Sequence, residues 1–165
     1  MNTLKWRLTG IAWLLVGLLV LRYGAGYHPV WNVGESLRGH LFLCRPMVQE
    51  KAIPRGAIIH YAPPARVQAL VVAMAPDADL QAPWLKRAVA VDGDEVCWVG
   101  QRLLVNRAVV AELDRRIARL ALAHPCLRLE PWEVLPLGDA PDSFDGRYHG
   151  PLGLGEVSEV CQRVW

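Results

Sequence analysis

The sequence predicts a mostly β domain with one amphipathic helix, preceded by a transmembrane helix. Three observations predict it. One long uncharged apolar run lies near the start, short apolar pieces closed by Gly, Pro or Asp follow it, and a single later stretch has helical period. The 165 residues leave room for one compact domain and a short appendage. Lys and Arg number 18 against 16 Asp and Glu, a formal +2 spread along the chain, which is no footprint for a nucleic-acid binder. Hydrophobic residues make up 53% and charged residues 21%, and the apolar excess sits at the amino end.

Leu8 to Leu21 reads LTGIAWLLVGLLVL, without a charge, with Lys5 and Arg7 before it and Arg22 and Tyr23 after it. That uncharged run gives roughly 21 Å of helix, short of a hydrocarbon core of roughly 30 Å. Extended over 4–23, with the flanking basic side chains snorkelling, it approaches a span and defines the expected transmembrane anchor. More positive charge precedes the run than follows it, so the remainder is expected on the outer side. A cleaved signal peptide is the competing reading, although Gly24 and Gly26 make a poor cleavage site.

Residues 27–165 form the expected exported domain. Strands are predicted at His40 to Cys44, Ala57 to Tyr61, Leu70 to Met74, Arg87 to Val91, Glu95 to Val99 and Arg102 to Val105, separated by turn residues such as Asp92-Gly93-Asp94. From Val109 to Leu122 the apolar residues Val109, Leu113, Ile117, Leu120 and Ala121 share one helical face, with Glu112, Arg115, Arg116 and Arg119 opposite, which predicts the amphipathic helix. Gly138 to Gly155 is polar and glycine-rich, and Asp139, Asp142, Ser143, Asp145 and Arg147 among its turn residues predict an ordered loop, with an Asp145–Arg147 pair fixing its path. Cys44, Cys97, Cys126 and Cys161 suit an exported domain with two disulfides. Three complete pairings exist, and a Cys97–Cys126 bridge is only slightly favoured. No CxxC occurs and the five histidines lack ligand spacing, so neither a metal nor a cofactor is expected.

A serine can be activated by histidine, or by a lysine whose burial strips the ammonium of water and leaves a neutral amine near pH 7. No histidine here has a context that marks it for the first role. Lysine is scarce, with only Lys5, Lys51 and Lys86 against fifteen arginines, and Lys86 lies between Trp84-Leu85 and the apolar run Ala88 to Val91. An isolated lysine there is costly unless neutral or paired. Of three serines, Ser36 sits in the glycine-flanked turn VGESLRG just before a strand, and Ser143 sits in the acidic loop, where it is a candidate to hold the lysine amine.

Three blocks, in this order, resemble the type I signal peptidase superfamily, most closely its short conjugative-transfer (TraF-type) branch that matures pilins. They are NVGESLRGHLFL from Asn32, LKRAVAVDGDEV from Leu85, and GDAPDSFDGRYHG from Gly138, similar respectively to the family's nucleophile block, lysine block and GDN…S-x-D-S-R-Y-x-G block. The resemblance implies Ser36 as nucleophile and Lys86 as general base. Ser143 would orient the amine, Asp145 and Arg147 would brace the loop, and the Ser36 N–H would donate to the oxyanion, with Gly34, Glu35 and Leu37 in the substrate and oxyanion vicinity. It further implies a signal-peptidase-like β domain, single-pass in the bacterial inner membrane and active on the periplasmic side. Its substrate would be an exported, pilin-like precursor, bound extended as an added strand with small residues before the cut.

The sequence departs from the family pattern at four places. Gly34 stands where some members carry a serine that completes the oxyanion hole, Ala57 follows Arg55-Gly56 where Asp is frequent, Ala140-Pro141 replaces Asn-Arg, and Gly146 replaces Ser. The alternative reading is a non-enzymatic assembly or docking module of a secretion apparatus on the same scaffold.

Overall fold

The computed structural model describes residues 2–24, 26–48, 52–74, 79–80, 82–114 and 126–164. It is mostly β, as the sequence predicts. A seven-stranded sheet has the order β1-β2-β11-β3-β4-β9-β10 and a four-stranded sheet the order β7-β6-β5-β8. The larger sheet is built from β1 (His28–Trp31), β2 (Leu41–Pro46), β3 (Ile58–Tyr61), β4 (Trp84–Ala90), β9 (Glu133–Leu137), β10 (Leu152–Gly153) and β11 (Glu159–Arg163). The smaller one holds β5 (Glu95–Val99), β6 (Arg102–Val105), β7 (Ala108–Glu112) and β8 (Cys126–Arg128). Its pairings are all antiparallel, and so are those of the larger sheet.

Helix α1 (Asn2–Gly24) covers the apolar run. Trp6, Leu8, Ile11, Trp13, Leu14 and most of the apolar side chains through Val20 are exposed. Among the described residues, however, no helix is long and apolar enough to cross a membrane. The stretch 4–23, expected as the anchor, is helical throughout, and the charges at both ends leave only the run from Leu8 to Leu21 uncharged.

Two other elements differ from expectation. The predicted strand from Leu70 to Met74 is the second half of helix α2 (Ala65–Met74). A short run of Ala, Leu and Val reads either way, and here Pro63-Pro64 opens a helix that buries Val67 and Val71. The amphipathic helix predicted from Val109 to Leu122 is strand β7 over Ala108–Glu112, and 115–122 lie outside the described residues. Asn106 and Arg107, both at positive φ, turn the chain tightly so that β7 returns along β6, a non-local outcome that helical periodicity does not register.

Three clusters form the core, and they meet along β4. Leu85 joins Leu37, Phe42 and Ile58. Ala88 joins Ile59, Tyr61, Val134 and Leu152. Ala90 joins Val96, Leu103, Leu135 and Tyr148 beneath the smaller sheet. Both disulfides bridge residues that face each other across paired strands, Cys44 with Cys161 and Cys97 with Cys126. Their sequence separations of 117 and 29 residues correspond to about 5 and about 3.5 kcal/mol of loop-closure stabilisation.

Candidate active site

Ser36 and Lys86, fifty residues apart in sequence, meet in the structure with the amine Nζ 2.5 Å from the hydroxyl Oγ. Lys86 is the third residue of β4, inside the strand and not at its mouth, and it is only 4% exposed. Burial lowers its pKa to about 8; Asp145 and Asp139 push back upward while Arg147 adds to the depression. Near pH 8, then, half of these amines are free to accept a proton. The amine also lies 6.0 Å from the Trp84 ring centroid.

The loop from Asn32 to Gly39 joins β1 to β2 and presents the serine. Its neck closes through Asn32 N–H, which donates to the His40 carbonyl at 2.8 Å, and through stacking of Trp31 on His40. The Asn32 side chain fills the centre of the loop. Its amide group lies 3.0 Å from the carbonyls of Gly34, Leu37 and Gly39, and its oxygen accepts from Gly34 N–H at 3.2 Å. Leu37, next to Ser36, is buried in the core and plugs the loop into the domain. Glu35 is exposed.

A second loop clamps the first. The Ser36 carbonyl accepts from Asp139 N–H at 2.6 Å and from Ala140 N–H at 3.3 Å, while Arg38 N–H donates to the Asp139 carboxylate at 3.0 Å. Gly138 makes this approach possible, since a Cβ there would lie 2.6 Å from the Ser36 carbonyl oxygen. Asp145, with no exposed surface, caps helix α3 (Gly146–His149) and accepts from Gly138 N–H at 2.7 Å and Arg147 N–H at 3.0 Å. Arg147 pairs with Asp145 at 3.1 Å and donates to the carbonyls of Ala140, Ser143 and Gly138. Burial pushes the Asp145 carboxyl up, opposed by Arg147 and the backbone N–H groups. The Asp145–Arg147 brace therefore has the geometry the sequence suggested.

Ser143 is buried, but its hydroxyl forms no hydrogen bond among the described residues and so does not hold the lysine amine in this arrangement. It lies beside Asp145, where it opposes part of the upward push that burial gives that carboxyl. Gly146, a departure from the family block, has a packing reason: a Cβ there would lie 2.5 Å from the Pro136 carbonyl oxygen.

A cleft of about 370 Å³ contains the Ser36–Lys86 pair, with Val30, Trp31, Val33 and Trp84 among its apolar walls and Gly34 at its rim. β9 pairs with β4 only from Arg87 onward, opposite Leu137, so Trp84 to Lys86 keep one strand edge that β9 does not cover. His60 also lines the cleft, and its Nδ1 lies 2.6 Å from the Glu159 carboxylate, which also contacts His28 at 3.2 Å. A His–carboxylate pair beside a serine has the ingredients of a different catalytic triad, but the hydroxyl partner of Ser36 is Lys86. Asn32 and His60 were given no role by the sequence reading, while Gly138 and Asp139 entered it only through the acidic loop and the start of the third block.

A search of curated proteins finds no match. The signal peptidase family, peptidase S26, matches residues 3–165, nearly the whole chain. That membership decides against a purely non-enzymatic docking module and implies an exported precursor as substrate. The chain belongs to the signal peptidase family, peptidase S26, and is a serine endopeptidase, a hydrolase.

Proposed function

We propose that Ser36 is the nucleophile and Lys86 the general base of a membrane-held peptidase that processes a pilin-like exported precursor, as in the conjugative-transfer branch. The observation that carries this reading is the 2.5 Å approach of the Lys86 amine to the Ser36 hydroxyl, with burial bringing the amine to about 8. The neutral amine takes the hydroxyl proton as Oγ attacks the scissile carbonyl carbon. The Ser36 N–H, which makes no hydrogen bond among the described residues, donates to the oxyanion and supplies what Gly34 lacks as a side chain. The resulting ammonium returns its proton to the leaving nitrogen as the C–N bond breaks, leaving an acyl-serine. Water deprotonated by the same amine, or the precursor's own amino group, then releases the product as an acid or as a ring.

The open edge of Trp84 to Lys86 supports binding of an extended substrate as an added strand. The brace of Asp145 and Arg147, with Ser143 beside it, supports the lysine pocket. The exposed apolar side chains of α1 support a hold on the bilayer, with the catalytic domain on the periplasmic side of the inner membrane. Residues 25–164 alone should therefore wash off membranes that retain the full chain, and equal retention of both would end the anchoring role.

Ser36→Ala and Lys86→Ala should each abolish precursor cleavage, and Lys86→Arg should be inactive because guanidinium does not deprotonate. Activity of the parent should rise with pH through about 8. Parental rates in either alanine variant would refute the dyad.

A further inference from the structure

Beyond the apolar cleft, the nucleophile loop borders a second, oppositely furnished space. Ser36 lines the first, whereas Arg38, two residues on, lines two adjoining clefts of about 510 and 370 Å³ that share Arg38, Arg87 and Arg163. The alternation of β4 explains the divide, since Lys86 and Arg87 are consecutive and project to opposite faces of the sheet. Charge here is far from balanced, although the chain as a whole carries 18 basic against 16 acidic residues.

The carboxylate in the larger of these clefts is Asp139, whose Oδ2 already accepts from Arg38 N–H. Arg87 reaches Asp139 only at 3.4–3.5 Å. The Arg38 and Arg163 side chains make no hydrogen bond or ion pair among the described residues, and both residues are exposed. Arg147, which lines the larger cleft, is committed to Asp145 and three carbonyls. Three guanidiniums thus line clefts that hold one carboxylate, and an added anion would lower their repulsion.

We propose that this arginine cleft binds carboxylate side chains of the precursor on the leaving-group side of the cut, so that the enzyme favours precursors that are acidic just after the scissile bond. The inference rests on Ser36 being the cutting residue. The apolar walls around Ser36 and Lys86 suit the small residues before the cut, which leaves the arginine side for the chain beyond it. An extended peptide advances about 3.3 Å per residue, so a cleft lined by Arg38 lies within the reach of the first few residues after Ser36's target bond. Both clefts adjoin the nucleophile loop, which favours the peptide already held there over a lipid headgroup.

The probes are two labelled peptides, identical through a small-residue cleavage site and differing after it only in two glutamates or two glutamines. Binding is measured to the Ser36→Ala protein, which reads the cleft without any cutting. The glutamate peptide should bind roughly tenfold more tightly, and Arg38→Gln with Arg163→Gln, or about 0.5 M salt, should erase the difference while sparing the glutamine peptide. Cleavage by the parent should show the same preference in KM. Equal binding of the two peptides, or equal loss for both in the double variant, overturns the proposal. So does a double variant that keeps the preference and loses only binding to anionic phospholipid vesicles. Glutamate-selective binding without any cleavage by the parent would instead condemn the Ser36 reading and leave the anion site standing.

Discussion

The two loops that meet at the site are held in opposite ways. The brace loop from Gly138 to Gly150 is largely buried and satisfies itself: Asp145 caps α3 and ties down Gly138, and Arg147 spans three carbonyls of the same loop. The Ser36 loop from Asn32 to Gly39 is exposed or half-buried apart from Leu37, and it is held by one side chain within it and by backbone donors from the other loop. The difference separates stability from reactivity. A change in the brace removes a buried partner and should be felt by the fold, whereas a change in the Ser36 loop moves one hydroxyl relative to one amine and, on the proposed dyad, should be felt by the rate.

The largest expected effect lies in the brace. Asp145→Ala leaves the buried Arg147 guanidinium without its carboxylate and should cost about 3–5 kcal/mol in chemical denaturation, with activity lost as a consequence. A variant as stable as the parent would erase the contrast between the loops.

Next comes the amine that joins them. The folded-state pKa of Lys86, about 8, lies below its ordinary value of 10.5, so between those pH values the unfolded chain binds the extra proton. The Lys86 contribution to stability must therefore rise with pH across that window, by about 3 kcal/mol relative to a Lys86→Met protein that lacks the group. Below pH 8 the methionine variant should be the more stable of the two, and parallel stability curves for both proteins would mean the amine is not buried.

The smallest effect on stability, and a large one on rate, belongs to Asn32. Asn32→Asp keeps the oxygen that receives Gly34 N–H but removes the N–H donors facing three carbonyls. It should cost about 1–2 kcal/mol of stability. It should also lower kcat on the order of 100-fold with little change in KM. A loss confined to KM would place Asn32 in substrate binding and not in positioning the serine.

Much of this was legible in the chain. The strands from Glu95 to Val99 and Arg102 to Val105 appear with the predicted bounds, because a short β-branched run closed by Gly100-Gln101 is a local signal. Lys86 and Ser36 stood out because lysine and serine are rare here and each has an unusual neighbourhood. Strands β1, β8, β9, β10 and β11 were not predicted: Glu159–Arg163, for example, is made a strand by lying between β2 and β3, not by its own alternation. Val109 to Glu112 failed for the complementary reason, since a helical pattern yielded to a hairpin with β6.

By itself the sequence determined the chemical inventory: one lysine in an apolar run, one serine in a glycine turn, a self-bonding acidic loop and four cysteines, each set by composition and near neighbours. Which of these touch was decided by tertiary structure alone. Burial of Lys86, its approach to Ser36 and the clamp through Gly138 and Asp139 join segments 50 to about 100 residues apart, and contacts of that separation exist only once the antiparallel ladders have fixed their register.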